Sequence, residues 1–340
     1  MKTIAIRTDG SQSYGMGHVQ NALTLAAYLK RYDDFSIYFV MIFPEGMEKV
    51  RQHGYDTETL RNDDLKELLQ VLKRRKTDLL ITDLLEIKED YSEDLQKANI
   101  KSVCCDILGR SRLKADLLFN RTVIEKRWEN YDRNSKTKFF LGTRYVVLKP
   151  EYGLICSQTR NISQTAKNVL ITMGGGDEFN ITTRVVRILK GFPDLSLTVV
   201  LGSAFADEDT LREAVKGTSI KIIKDVPSLA KLFLENDIVI GAGGSTLYEL
   251  ACTGTPALII PMNDHQVENA EAFAAKGSVI STRIHSEATD KEIGESFIKI
   301  ADNSVLRKMM SNKGKKITDG KGAERVAEII QRFASSEENV

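Results

Sequence analysis

The sequence predicts an α/β protein of two doubly wound domains, each a parallel sheet covered by helices. Short apolar runs of strand length alternate with amphipathic stretches, and a helix between two strands is the usual connection of a parallel pair. The alternation occurs twice, with an irregular stretch between. The length of 340 residues also suits two domains. Two such domains in series are expected to face a cleft, a common place for a ligand site.

In the first half, apolar runs predict strands and the stretches between them predict helices. In chain order these are a strand at 3–8, a helix from Gly17 to about Arg31, a strand at 36–42, a helix at 65–75, a strand at 78–85, a helix at 91–98 and a strand at 101–108. This order predicts a doubly wound domain over residues 1–155.

The pattern is lost between Asp116 and Asn161 and starts afresh at 168–176 with another strand. The elements that follow are a helix at 181–192, a strand at 195–203, a helix near 207–216, a strand at 219–226, a helix at 227–236, a strand at 237–245, a helix at 247–254 and a strand at 256–262. They predict a second domain at 165–320. A last helix, about 321–335 within the segment 321–340, could pack on either domain.

Charge and composition exclude several classes of protein. With 48 Lys+Arg against 47 Asp+Glu, the net charge of +1 gives no overall attraction to nucleic acid or to acidic membranes. No run approaches the roughly 18 apolar residues of a membrane span, and the first residues lack the apolar core of a signal peptide. The four cysteines have no CxxC spacing, so we expect reduced thiols in a cytoplasmic protein. Nothing in the sequence indicates an oligomeric state.

A glycine-rich loop joins the first strand to the first helix. Gly15 and Gly17 allow a ligand to approach closely, and the helix N-terminus suits a phosphate or a sugar oxygen. His18 lies at this N-terminus and can exchange protons near neutral pH. Asp9, at the strand end, could orient or activate His18 or bind a sugar hydroxyl. Alternatively, the glycines only form a turn and His18 caps the helix. A dehydrogenase is disfavoured, because the third glycine of the dinucleotide fingerprint is missing.

Other strand ends carry polar residues suited to a nucleotide sugar. Asp83 ends a strand at the edge where ligands bind in open α/β sheets. Asp106 ends the next strand and could either line the cleft or cap the following turn. A glycine run after the strand that begins at residue 168 could cradle an anion with its N–H groups; its members are Gly174, Gly175 and Gly176.

The ends of the predicted strands at 237–245 and 256–262 add a helix N-terminus and a polar turn. The residues that open the helix, where a diphosphate can bind, are Gly243, Gly244, Ser245 and Thr246. Glu249, about one turn further, is placed to accept hydrogen bonds from the two ribose hydroxyls. The polar turn supplies His265, Gln266 and Asn269, of which the last two share a helix face. Each residue could instead have an ordinary turn or surface role, but their joint occurrence at strand ends favours a nucleotide-sugar site.

Residues 241–277, GAGGSTLYELACTGTPALIIPMNDHQVENAEAFAAKG, resemble the donor-binding half of GT-B nucleotide-sugar enzymes, particularly the MurG-like group. The opening RTDGSQSYGMGH resembles the R-x-D-x-S-x-x-x-G-x-G-H motif of the PseG/SpsG family. That family includes the UDP-2,4-diacetamido-2,4,6-trideoxy-altropyranose hydrolases of pseudaminic acid synthesis and the SpsG-type polysaccharide proteins. LGTRYVVLKPEY, residues 141–152, resembles its L-G-x-x-Y-x-L-x-x-E-[FY] segment. The resemblance covers most of residues 1–280 and implies a GT-B fold of two Rossmann-like domains.

The resemblance implies a hydrolase that releases UDP from a UDP-linked amino or deoxy sugar, without a metal or a cofactor. His18 would activate or position the water that attacks the anomeric carbon. Glu249 would bind the ribose and Gln266 would face the sugar. The glycine N–H groups and the helix N-terminus would hold the leaving diphosphate, as a metal would elsewhere.

Two departures from the family pattern leave the substrate open. The family's G-H-x-x-R has an arginine where this chain has Asn21, and the tyrosine near Asp83 in the hydrolases is absent from Asp83-Leu84-Leu85. Two other functions therefore remain: a glycosyltransferase with the same donor site, and a nucleotide-sugar-binding protein without catalysis. Lys73–Lys76 would be the basic patch for a membrane acceptor, or would simply complement a helix end.

Overall fold

The computed structural model describes residues 1–11, 15–32, 34–202, 204–224 and 226–335. The middle of the opening motif, residues 12–14, lies outside these ranges, as do Ser203 and Asp225 of two predicted strands. The chain divides into two compact units. Unit 1 comprises residues 1–150 and the segment that begins at Lys321, and unit 2 comprises Glu151–Gly320.

Unit 1 is built on a seven-stranded parallel sheet. Its elements are β1 (Lys2–Thr8), α1 (Gly17–Leu29), β2 (Phe35–Met41), α2 (Pro44–Gln52), β3 (Asp56–Thr59), α3 (Leu65–Arg74), β4 (Leu79–Asp83), α4 (Glu89–Lys97), β5 (Ser102–Cys105), β6 (Leu117–Asn120) and β7 (Lys138–Leu141), in the spatial order β3-β2-β1-β4-β5-β6-β7. Alternate residues of β1 enter different cores: Ile4 and Ile6 pack with α1, and Ala5 packs with Leu68 of α3. Helices on both faces explain why the central strands are largely apolar.

Unit 2 has a six-stranded parallel sheet in the order β10-β9-β8-β11-β12-β13. It begins within α5 (Pro150–Ile155) and continues with β8 (Asn168–Thr172), α6 (Ile181–Leu189), β9 (Ser196–Leu201), α7 (Glu208–Val215), β10 (Lys221–Lys224), α8 (Ala230–Glu235), β11 (Ile238–Gly241), α9 (Thr246–Thr253), β12 (Ala257–Ile259), α10 (Asp264–Ala275), β13 (Ile280–Ser281), α11 (Asp290–Ala301) and α12 (Ser304–Gly314). The predicted class of two parallel-sheet α/β domains is confirmed.

The last helix, α13 (Gly322–Ser335), packs on unit 1. Val326, Ile330 and Phe333 are buried in the same core as Leu25 of α1. Gly322 lies so close to the backbone that an added Cβ would be 2.1 Å from the Val146 carbonyl oxygen. Unit 1 is therefore formed from both ends of the chain.

The structure corrects the expectation that all four cysteines are reduced thiols. Cys156 and Cys252, both in unit 2, are paired as a disulfide across 96 residues of sequence, whereas Cys104 and Cys105 are free and buried on β5. The pairing arises because the chain after α5 returns to the end of α9, a proximity that the sequence spacing does not reveal. In the described ranges, no helix has the length and apolarity needed to cross a bilayer.

Each sheet reverses its strand order at one place, where the chain turns to the opposite side. In unit 1 the reversal lies between β1 and β4, and in unit 2 it lies between β8 and β11. In open α/β sheets, ligands bind beyond the strand C-termini at such a switch point. Most predicted site residues follow the strands at these reversals, whereas Asp106 follows β5 and the three candidates on α10 follow β12.

Candidate active site

The switch point of unit 1 brings together a histidine, a carboxylate and an arginine. β1 and β4 run in register with Thr8 beside Asp83, so Asp83 ends its strand where the chain enters the loop toward α1. Nδ1 of His18, in the first turn of α1, lies 2.7 Å from Oδ1 of Asp83. Arg121 donates to both Asp83 oxygens from Nη2, at 3.3 Å and 3.1 Å. The three side chains form a continuous chain that ends at the imidazole.

The surroundings of Asp83 keep its carboxyl group ionised. Asp83 is only 3% exposed, and burial by itself would raise its pKa. The charge of Arg121 and the hydrogen bonds from His18 and Arg121 outweigh burial, so the pKa of Asp83 lies below its ordinary value. A carboxylate on Nδ1 holds the proton there and leaves Nε2 as the imidazole nitrogen that can accept one.

Arg121 was not among the predicted site residues. It follows β6, one of two four-residue strands inside a stretch expected to be irregular. The sequence feature that could have identified Arg121 is its position directly after the apolar run LLFN, where a polar residue can end a strand. Because the strand was overlooked, its end could not be placed at the sheet edge that carries Asp83.

Asp9 does not contact His18. Its Oδ2 accepts from Nη1 of Arg7 at 2.5 Å and its Oδ1 accepts from the Ile42 N–H at 2.7 Å. Arg7 is 1% exposed and also donates to Asp63 at 3.1 Å. These contacts tie together the loops that follow β1, β2 and β3. Of the roles considered for Asp9, contact with His18 is not seen; the carboxylate that contacts His18 is that of Asp83.

Asp106 caps a turn, which is the second of the two roles considered for it. Its oxygens accept from the N–H groups of Leu108 and Gly109, and Oδ2 also accepts from the Tyr131 hydroxyl at 2.5 Å. Tyr131 in turn accepts from the Asn120 side chain at 2.7 Å. Asp106 is thus occupied by internal partners, which leaves little capacity for a sugar.

The two glycines beside His18 differ in what they offer to a ligand. Gly15 has φ of 81°, in the region that favours glycine, and its N–H donates to the Ser11 carbonyl at 2.9 Å. That amide is therefore already used. Gly17 begins α1 and is exposed, and the N-cap residue Met16 makes no side-chain capping bond.

In unit 2, the N-terminus of α9 is open. Ser245 is at the N-cap and makes no side-chain capping bond. In the described part of the chain, the N–H groups of Gly244, Ser245 and Thr246 have no acceptor. By contrast, Asp177 caps α6 by accepting from Ile181 at 2.9 Å and from Thr182 at 2.6 Å. An uncapped helix N-terminus at the switch point is a ready site for an anion.

The glycine run after β8 adds exposed backbone at the same switch point. Gly174 has φ of 85°, and Gly174, Gly175 and Gly176 are all exposed. A Cβ on Gly202 would lie 2.4 Å from the carbonyl oxygens of Gly174 and Gly175, so the loop packs directly on the end of β9. The backbone N–H groups of this loop are accessible to a ligand.

Glu249 lies one turn into α9 and is partly buried. It is next to Tyr152, whose side chain is fully buried. Burial raises the pKa of the Tyr152 phenol, and the negative charge of Glu249 raises it further. Glu249 thus interacts with the buried Tyr152 phenol, and its binding to a ribose stays a prediction.

The three candidates on α10 are held against the loop that precedes α9. Oε1 of Gln266 accepts from the N–H groups of Gly243 at 3.1 Å and Met262 at 3.0 Å. Nδ2 of the buried Asn269 lies 3.4 Å from the Gly243 carbonyl and 3.4 Å from Nε2 of His265. The Gly243 N–H is therefore not available to bind a phosphate.

The basic stretch at the end of α3 is largely neutralised. Arg74 pairs with Glu58 at 2.6 Å, and Arg75 pairs with Asp56 at 3.1 Å. These pairs favour the helix-end role over a membrane patch. Among the residues that the structure describes, no group of three or more His, Cys, Asp or Glu is placed to hold a metal ion.

Comparison with known proteins identifies relatives over most of the chain. Residues 168–332 match the glycosyltransferase family 28 C-terminal domain. A protein of Methanocaldococcus jannaschii is 31% identical over 317 residues, which span 88% of this chain but 65% of that relative. The spore coat polysaccharide biosynthesis protein SpsG of Bacillus subtilis is 25% identical and covers 98% of this chain and 99% of its own length.

A third relative and a solved structure agree with these. The UDP-2,4-diacetamido-2,4,6-trideoxy-beta-L-altropyranose hydrolase of Campylobacter jejuni is 24% identical, over 81% of this chain and 97% of the hydrolase. The crystal structure of Acinetobacter baumannii MurG has a TM-score of 0.69 at 15% identity, covering 98% of this chain and 100% of that one, which shows a common GT-B fold. The chain therefore resembles proteins of the PseG/SpsG family in sequence and shares the GT-B fold of MurG.

Proposed function

We propose that the protein hydrolyses a UDP-linked amino or deoxy sugar, releasing UDP and the free sugar in nonulosonic acid or surface polysaccharide synthesis. The observation that carries this proposal is the chain Arg121–Asp83–His18, which presents an oriented imidazole at the switch point of unit 1. The open N-terminus of α9 supports a diphosphate in unit 2. The Campylobacter jejuni hydrolase and SpsG support the substrate class.

In the proposed reaction, His18 acts as general base through Nε2. It takes a proton from water as the water oxygen forms a bond to the anomeric carbon. The bond between that carbon and the UDP oxygen breaks, and its electron pair leaves with the diphosphate. Asp83 stabilises the imidazolium through Nδ1–H, as the carboxylate does in a catalytic triad. The N–H groups of Gly244, Ser245 and Thr246 bind the charge that develops on the leaving phosphate.

Transfer of the sugar to another acceptor is the second candidate. It is favoured by Asn21 in place of the family arginine, by Leu84-Leu85 in place of the tyrosine segment, and by the family 28 domain. The same imidazole would then deprotonate an acceptor hydroxyl instead of water. The third possibility is a binding protein without catalysis, which would assign no role to the oriented His18 side chain.

The deciding experiment measures UDP release from a panel of UDP-amino sugars with no acceptor present. We expect release by the wild type, with an unchanged rate in EDTA, because backbone N–H groups rather than a metal would hold the diphosphate. Measurable UDP binding without release would contradict hydrolysis. Release that appears only when a candidate acceptor is added would establish the transferase.

Replacing Glu249 by Ala should weaken UDP binding in this site. A hydrogen bond between a charged carboxylate and the ribose hydroxyls is worth about 1.5–3 kcal/mol, roughly a ten- to hundredfold change in Kd. Calorimetric titration with UDP and 2′-deoxy-UDP should show that the wild type discriminates between them and the variant much less. Glu271→Ala, an exposed position on α10, is the matched control. Unchanged UDP affinity in Glu249→Ala would remove the ribose assignment.

A further inference from the structure

We infer that Gln266 is a positioning residue that sets the shape of the diphosphate loop, residues 242–246. This inference rests on the proposed binding of a diphosphate to that loop. The Gln266 carboxamide oxygen accepts two backbone N–H groups from different places in the sequence, Gly243 after β11 and Met262 after β12. A single side-chain atom thus joins the chain segments that leave two neighbouring strands.

The packing around this oxygen allows little movement. A Cβ on Gly243 would lie 2.5 Å from the Gln266 carbonyl oxygen and 2.9 Å from its Cβ, so the two backbones are in direct contact. The peptide on the other side of Gly243 is approached by Asn269, whose Nδ2 lies 3.4 Å from the Gly243 carbonyl. Gln266 is itself fixed, since its N–H donates to the Asn263 side chain at 3.0 Å.

As a result, the N–H groups of the loop have two different roles. The Gly243 N–H points to Gln266, and the next three N–H groups have no acceptor in the described part of the chain. The Gly243 peptide is held by Gln266 and the chain from Thr246 onward is held in α9, so only a few φ and ψ angles between these two ends can change the direction of the intervening N–H groups. Oriented N–H groups bind an anion without first having to be ordered.

Gln266→Leu tests this role, because leucine is similar in size to glutamine but has no hydrogen-bond acceptor. Two hydrogen bonds of about 0.7 kcal/mol each correspond to roughly a tenfold rise in the Kd for UDP. The Kd for uridine should stay within about twofold, because uridine has no phosphate. Both constants can be obtained from amide NMR titrations, and the same spectra report hydrogen exchange at Gly243 and Met262, which should speed up. Glu271→Leu, an exposed polar-to-leucine change on the same helix, should alter none of these.

Three other results would overturn the positioning role of Gln266. An equal loss of uridine and UDP binding would show general structural support and overturn the positioning role. Unchanged UDP affinity with faster exchange would show that the loop's shape does not matter for the diphosphate, and would overturn it as well. If the wild type bound uridine and UDP equally, the proposed diphosphate site itself would be absent, and the inference would fall with it.

Discussion

His18→Ala should abolish UDP release while leaving UDP binding intact. Removing a positioned general base costs about 10²–10⁴-fold in turnover. His18 lies in unit 1, whereas the groups proposed to hold UDP, the α9 N-terminus and Glu249, belong to unit 2. We therefore expect kcat to fall by at least a hundredfold, with little change in the Kd for UDP. The measurement is UDP release under saturating UDP-sugar, together with calorimetric titration of UDP.

The control for this change is His53→Ala. His53 is exposed, and its Nδ1 lies 2.8 Å from the Lys49 carbonyl oxygen, within its own helix. It should leave both measurements unchanged. Full activity in His18→Ala would remove the histidine from the mechanism, and a parallel loss of UDP binding would place it in the nucleotide site instead.

Arg121→Met should destabilise unit 1 strongly, and more at neutral than at acid pH. Both partners of the ion pair are nearly inaccessible, with side-chain exposures of 8% for Arg121 and 4% for Asp83. Removing one partner of a buried pair costs about 3–5 kcal/mol, because it leaves an uncompensated charge. The free energy of unfolding at pH 7, measured by urea denaturation, should fall by that order.

The pH dependence follows from the direction of the Asp83 shift. In the wild type the pKa is below its ordinary value, so the pair's contribution is complete above about pH 4 and is lost as the pH falls further. Without Arg121, the main group that lowers this pKa is gone and burial raises it. Ionising Asp83 in the variant is then unfavourable, so the difference from wild type should widen as the pH rises above about 4.

A double variant separates the effect of the unpaired buried charge on stability from the effect of the lost packing. Asp83→Asn combined with Arg121→Met removes the buried charge and should recover part of the lost stability at pH 7. Arg112→Met, an exposed position in the same unit, serves as the control. A loss of stability in Arg121→Met that is independent of pH, or no recovery in the double variant, would contradict this account.

The fold was largely predictable because its central strands are buried on both faces. Apolar runs such as TIAIRT and NVLIT are typical of a parallel strand covered on both faces. The predicted strand at 3–8 agrees with β1 to within one residue, and the strand predicted at 168–176 begins where β8 begins but extends beyond its end. The overlooked strands are short or polar, and the helices α11 and α12 were not predicted either. β3 is the edge strand DTET, and β6 and β7 have four residues each.

The candidate site was predictable in its location and only partly in its partners. His18 and Asp83 both follow or end strands at the switch point, which sequence order alone can indicate. Which carboxylate meets the imidazole depends on strand order, because β4, which ends at Asp83, lies beside β1 at the reversal. Asp9 is nearer in sequence, but Arg7 on the same strand end holds it. Likewise, the use of Gly243 by Gln266 is a contact across 23 residues that no local pattern signals.

The helix α13 follows unit 2 in sequence but packs in the core of unit 1, and this has a consequence for how the chain folds during synthesis. Unit 2 is continuous in sequence and can become compact on the ribosome as soon as residue 320 has emerged. Unit 1 must wait, since Val326, Ile330 and Phe333 complete a core begun by Ile4 and Ile6 more than 300 residues earlier. Unit 1, which carries His18, therefore remains incomplete until α13 has been synthesised, and its closure by α13 joins residues far apart in sequence, a kind of contact that forms slowly.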